Sequence, residues 1–318
     1  MKYCLILILI LPGLAICQKY AEVDAHSQGV KLSKDYKQAT RELISPYTDQ
    51  ESKVRAIFSW LANNLEYDNR QKKKITKKHK KGGQKIKAKS EEEFKAKLLE
   101  KEQEAMNRTL RKKKGVCQDF SWLFDAMCFE AGIESEFITG HGRTSPEQVG
   151  RIPKGLGHAW NAAKIDDEWH LFDVTWSTDM EKGGNGFFMM APTEFIKSHF
   201  PEEEKWQLLD EPMDIKTWAG QMYWYKGYER YQIGGVKAGI AIATESTFPR
   251  DSLFSLSIAL PPGHELYAMK NQGEKSAKLD KKGNKYFIDF VKTKFRGKTT
   301  IVIREGTKYS PLLDVKIR

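Results

Sequence analysis

The chain has 318 residues, 40% hydrophobic and 30% charged, with a formal net charge of +11. After the first 17 residues no stretch is apolar for long enough to span a bilayer, which excludes further transmembrane helices; about 300 remaining residues exceed what one ordinary core takes, so two domains are expected. The charge is concentrated in one segment: residues 71–114 hold 18 Lys or Arg against 6 Glu, and the remainder is close to neutral.

Residues 1–17, MKYCLILILILPGLAIC, join a positive start at Lys2 to a short apolar run and a small-residue exit. They predict a signal peptide and a secreted or periplasmic mature protein. Cleavage is expected after Cys17, with Ala15 and Cys17 at the recognition positions, or after Ala15, with Gly13 in the outer one. A lipid anchor on Cys17 is the weaker reading, because Ile16 stands where such sites want a small residue.

Residues 18–220 form the first expected domain, and from residue 34 onward long helical patterns mix with strands. Within it lies a basic insertion at about 71–114. Its first part, QKKKITKKHKKGGQKIKAKS, carries no acid and almost nothing to bury, which predicts a disordered, solvated loop over 71–90. The next part offers Ser90 as N-cap, three Glu in the first turn and a basic cluster before Gly115, all suited to a helix and its dipole. Over 117–131, Phe120, Leu123, Phe124, Met127 and Cys128 make a helical stripe. A strand follows at 135–139, then two more at 158–165 and 168–175, joined at Asp166 and Asp167. Residues 221–318 read as repeated β runs between Pro, Gly, Asn and Lys turns and predict a small β-sandwich.

With cleavage after Cys17, only Cys117 and Cys128 survive maturation. Eleven helical residues separate them by roughly 16 Å, far beyond the about 7 Å between α-carbons that a disulfide tolerates. Cys128 falls on the apolar stripe and reads as a buried core thiol. Cys117 opens the helix, where free N–H groups and the positive dipole end favour a thiolate.

If the Asp166–Asp167 turn sets the hairpin register, Ile165 opposes Glu168 and Trp160 opposes Asp173. His158 and Asp173 are then diagonal neighbours on one face, within reach of each other. A slip of one residue separates them. A thiol is activated by an imidazole that a carboxylate orients, and the helix start adds the Cys117 N–H as a donor to a developing oxyanion. Taken singly, Cys117 reads equally well as a small residue in a tight helix entry, His158 as a satisfied strand histidine and Asp173 as a turn-proximal polar residue; together they read as a site. His170 falls on the opposite sheet face, and His141 reads as a loop residue after its strand. His26, His79, His199 and His264 have no companions resembling a metal set, no cysteines show zinc-finger spacing, and no Gly-rich phosphate loop occurs. No cofactor is expected.

ESKVRAIFSWLANNLEYD, GVCQDFSWLFDAMCFEAGI and GHAWNAAKIDDEWHLFDVTWS together resemble the transglutaminase-like cysteine superfamily, whose papain-like core uses Cys, His and Asp in that chain order. APTEFIKSHFPEEEKWQLLDEP is similar to the stretch after the core in the kyphoscoliosis peptidase branch. These motifs cover residues 50–70 and 115–213. The resemblance implies an α+β papain-like fold, with Cys117 as nucleophile, His158 as general base and acid, and Asp173 as orienter. The chain departs from the pattern in two ways. Family members commonly join the Tyr67–Asp68 motif to the GVC motif by a short link, where this chain inserts its basic segment. Gln118, Asp119 and Phe120 replace the more frequent small and Tyr residues after the nucleophile, which leaves pocket shape open. No side chain is assigned as oxyanion donor, and the calcium-control residues of animal transglutaminases have no counterpart.

The expected activity is that of a secreted thiol enzyme acting on peptide or amide bonds through a Cys117 acyl-enzyme. Water as acceptor gives a peptidase or amidase and an amine gives a crosslinking transferase; the triad does not separate them, and the kyphoscoliosis branch tips the balance to hydrolysis. The alternative is a non-catalytic envelope-binding or scaffolding protein retaining the fold, which leaves the intact Cys, His and Asp set unexplained. Expected partners are a protein or peptide substrate and, through the Lys-rich insertion, an anionic cell-surface polymer. Export and the lack of interleaved aromatics weigh against nucleic acid.

Overall fold

The computed structural model describes residues 12–80, 88–155, 157–178, 186–225, 232–238, 241–242, 247–248, 253–270 and 275–317. The chain divides into two compact units. The first takes residues up to Gly140 with Gly157–Phe195 and Pro201–Leu208, and the second takes His141–Leu156, Ile196–Phe200 and everything from Leu209 onward.

In the first unit six helices precede a small sheet. They are α1 (Pro12–Gly29), α2 (Tyr36–Ile44), α3 (Gln50–Asn64), α4 (Asn69–Lys80), α5 (Glu91–Lys112) and α6 (Cys117–Glu130). Two short strands, β1 (Glu66–Tyr67) and β2 (Lys114–Gly115), pair in parallel and bring the two ends of the basic segment together. After α6 come β3 (Ser135–Gly142), β4 (His158–Ile165), β5 (Glu168–Asp173) and β6 (Phe187–Met190), with a short helix α7 (Val174–Ser177) between the last two. Neighbouring strands run antiparallel in the order β6-β5-β4-β3. The unit is α+β, with helices on the sheet and a core drawn from both.

That core centres on α3 and α6. Val54, Ile57, Phe58 and Leu61 of α3 meet Phe120, Leu123, Phe124, Met127 and Cys128 of α6, the stripe expected from the sequence. Arg55 is buried in the same helix and pairs with Asp24 of α1: its Nε and Nη2 donate to the two carboxylate oxygens at 2.7 and 2.5 Å. The guanidinium also lies between the rings of Tyr20 and Phe188. α1 spans the expected cleavage points at Ala15 and Cys17, and its Tyr20, Val23, Asp24 and Ser27 pack in this unit.

The basic segment differs from expectation in its first half. Residues 71–80 belong to α4 and are not a loop. Asp68 supplies the start signal, since its Oδ1 accepts from the N–H groups of Arg70 and Gln71 at 2.9 Å each. A run of Lys, a good helix former, then propagates what the cap begins without needing an apolar face. Residues 81–87 lie outside the described residues. The second half agrees closely with the sequence: α5 starts at Glu91 with Ser90 as N-cap, whose Oγ accepts from Glu93 N–H at 3.1 Å. β5 is shorter than expected, ending at Asp173 and not at Thr175, because the Asp173 carboxylate caps α7 by accepting from Trp176 N–H.

The second unit is a β-sandwich. One sheet orders its strands 241–242, 232–238, 253–259, 285–289 and 280–282; the other orders 247–248, 308–317, 297–305, 264–270 and 275–278. Phe254, Leu256 and Ile258 of the first share a core with Leu266, Ile301, Ile303, Leu313 and Val315 of the second. Among the expected β runs, strands occur at Gln232–Ala238 and Ala241–Ile242, and residues 239–240 and 243–246 lie outside the described residues. Two strands that the sequence did not announce, KSAK at Lys275–Lys278 and DKK at Asp280–Lys282, each end a sheet. Short lysine-bearing strands suit that position, where exposed backbone must not recruit another strand. Among the described residues no helix is long and apolar enough to cross a membrane.

Candidate active site

The nucleophile candidate begins a helix that is tightly fixed. Val116 is extended and serves as N-cap of α6. Its own N–H donates to Asp119 Oδ2 at 2.9 Å, which folds the Asp119 carboxylate back over the helix start. Gly115 must be glycine here: a Cβ would stand 2.8 Å from Asp119 Cβ and 3.0 Å from Phe120 Cε1. Burial pushes the Asp119 pKa up against the pull of that N–H bond. Cys117 is the first helical residue and is partly exposed, whereas Cys128 is fully buried. Burial, reinforced by Asp125, pushes the Cys128 thiol well above its ordinary range and leaves it unreactive.

The hairpin β4–β5 carries the other two candidates in the register expected from the turn. Ile165 pairs with Glu168 and Asn161 with Phe172. Asp166 and Asp167 both have positive φ, 50° and 68°, the turn that matches strand twist in two residues. His158 and Asp173 therefore meet, with His158 Nε2 2.7 Å from Asp173 Oδ2. The ring also hydrogen-bonds the Cys117 side chain, so the imidazole stands between sulfur and carboxylate. All three candidates are brought together. Burial of His158 lowers its pKa, but the charge and hydrogen bond of Asp173, joined by Cys117, outweigh that and raise it to about 9.

Asp173 is fully buried and held by two further bonds: its Oδ1 accepts from Trp176 N–H at 3.0 Å and its backbone oxygen from Ser177 Oγ at 2.7 Å. Neither oxygen can turn away from its partner without losing a bond.

Sequence reasoning missed three supports. Trp176 stacks on the His158 ring, centroids 4.9 Å apart and planes 22° apart, and shields the imidazole on one face. Asn161 on β4 donates from Nδ2 to Ser121 O in α6 at 3.1 Å, tying the strand that bears the base to the helix that bears the nucleophile. Tyr67 on β1 sits opposite Gly115. The polar residue inside an otherwise apolar strand, N in HAWNAAKI, was the one available signal for Asn161. His170 is half-exposed on β5 and takes no part. His141 is not in a loop: it lies near the end of β3 and packs in the second unit against Phe200 and Trp218.

The stretch that carries the partly exposed cysteine, the hairpin imidazole and the buried aspartate lies within a family match over 146 residues of this chain. Residues 34–179 match the model of a transglutaminase-like domain. The span holds all three candidates and the basic segment. The chain is similar to the kyphoscoliosis peptidases of Mus musculus, 26% identical over 80% of this chain, and of Homo sapiens, 26% identical over 81%. It spans 38% of the length of each. A solved TGase is 15% identical, with a TM-score of 0.27 over 54% of this chain and 35% of that one. The matched span takes in the helix and the hairpin that place the three candidates, together with the basic helices between Tyr67 and Gly115.

Proposed function

We propose that the protein is a thiol enzyme that acts on peptide or amide bonds through an acyl-enzyme on Cys117, with water as the preferred acceptor. One observation carries this reading: His158 is held between Asp173, at 2.7 Å, and the Cys117 side chain. The Cys117 proton passes to His158, and the sulfur attacks the carbonyl carbon, forming the S–C bond and placing a negative charge on oxygen. His158 returns the proton to the departing amine as the C–N bond breaks. A water then gives its proton to the same ring, its oxygen attacks the thioester, and the acid leaves with the thiol restored. Asp173 stabilises the imidazolium and fixes its orientation. The peptidase preference rests on the names of the relatives; secretion rests on residues 1–17.

The test is product analysis on an amide peptide substrate, with and without a primary amine, for the parent and Cys117→Ala. Free acid formed in the presence of the amine, and absent with Cys117→Ala, is the expected result. Predominant amine incorporation would make the protein a transferase, and the same turnover by Cys117→Ala would remove the enzyme reading.

A further inference from the structure

The acyl-enzyme reading requires donors for the negative oxygen that forms when Cys117 attacks a carbonyl. One is the Cys117 N–H, which at the first position of α6 has no acceptor within the helix. Two side-chain amides near the site are already engaged. Gln71 Nε2 donates to Asp119 Oδ2 at 2.6 Å, and Asn161 Nδ2 donates to the carbonyls of Ser121 and Glu136 at 3.1 and 3.3 Å.

We propose that the Tyr67 hydroxyl is the second oxyanion donor of this site. The assignment rests on the Cys117 acyl-enzyme proposed above. Three observations support it. The backbone is fixed beside the nucleophile: Tyr67 pairs with Gly115 in the β1–β2 bridge, and the Asp68 N–H donates to Gly115 O at 2.7 Å. The ring lies along the first turn of α6, edge-on to Phe120 with centroids 6.5 Å apart. The hydroxyl is in the field of the site: burial first, then the charges of Cys117, Asp119 and Asp173, hold its proton on, up to about 12. At neutral pH the phenol keeps its proton and is a donor. Among the described residues it makes no hydrogen bond that would compete.

In the step concerned no proton is transferred to the oxygen. The S–C bond forms, the C=O π pair moves to oxygen, and the hydrogen bonds from Cys117 N–H and Tyr67 O–H shorten onto it. Collapse restores the carbonyl and expels the leaving group, which takes the His158 proton.

Two electrophiles separate this role from its alternatives. p-Nitrophenyl acetate acylates a thiol through a tetrahedral oxyanion, whereas iodoacetamide alkylates it by displacement at carbon without one. Tyr67→Phe keeps the ring, so its contact with Phe120 survives. The expected result is a fall of roughly 100-fold in Cys117 acylation, with alkylation rate, its pH profile and thermal melting unchanged. Equal acylation by parent and Tyr67→Phe overturns the assignment. An equal fall in both reactions also overturns it, because the phenol would then act on the thiol. A parent protein that alkylates at Cys117 but is not acylated there sinks the acyl-enzyme reading itself.

Discussion

His158 couples the chemistry of the site to its stability. An unfolded histidine releases its proton near about pH 6.5, whereas in the folded protein the ring keeps it to about pH 9. The imidazolium–Asp173 contribution is therefore fully present below about pH 6.5 and is lost as pH rises through about 9. Denaturant unfolding of the parent and of His158→Gln at several pH values should show the parent losing up to about 3 kcal/mol relative to the variant across that window. A difference that stays constant with pH would mean that His158 holds no extra proton in the fold. The meeting of the three candidates was legible in the sequence. Cys117 stood at a helix start, and a two-residue turn fixed the hairpin register that brings His158 to Asp173. Tyr67 was not legible in this role, because its approach to Cys117 depends on the β1–β2 bridge, a pairing of two residues with two others that leaves no periodicity to read.

At the scale of elements, the start of α6 is set by the contact between Gly115 and Asp119. Gly115→Ala places a methyl group 2.8 Å from Asp119 Cβ, so either Asp119 lets go of Val116 N–H or the helix start moves. The expected outcome is a loss of about 2 kcal/mol in unfolding free energy, together with slower alkylation of Cys117 and unchanged protection of Cys128. Unchanged stability and alkylation would show that the helix start absorbs the methyl group freely. α6 was readable because its apolar residues recur at helical spacing, and α5 because its cap and charge order are local signals. α4 was not, since what holds it is polar: the Asp68 cap and the bond from Gln71 to Asp119. The end of β5 was missed because Val174 and Thr175 continue a strand pattern that the Asp173 cap interrupts.

At the scale of the whole molecule, the excess charge and the site share one unit without sharing residues. Lys72, Lys73 and Lys74 are exposed on α4, and we propose them as attachment points for an anionic surface polymer. Replacing all three by Gln should weaken retention on a heparin column at low salt, lose that difference at high salt, and leave melting and Cys117 alkylation unaltered. Retention equal to the parent at low salt would remove these lysines as the attachment point. The segment that carries them leaves the fold at Tyr67 and returns at Lys114, and these ends lie side by side because Glu66 pairs with Lys114 and Tyr67 with Gly115. Those ends are a doorway, and the excursion between them touches the domain again through Gln71 and through Met106 and Leu110 of α5. The entropy of closing such an excursion grows only with the logarithm of its length. Its outer part, the exposed lysines of α4 and the exposed first turns of α5, is therefore a place where a lineage can lengthen, trim or re-dress the chain almost freely, acquiring new surface while Cys117 stays where the doorway holds it.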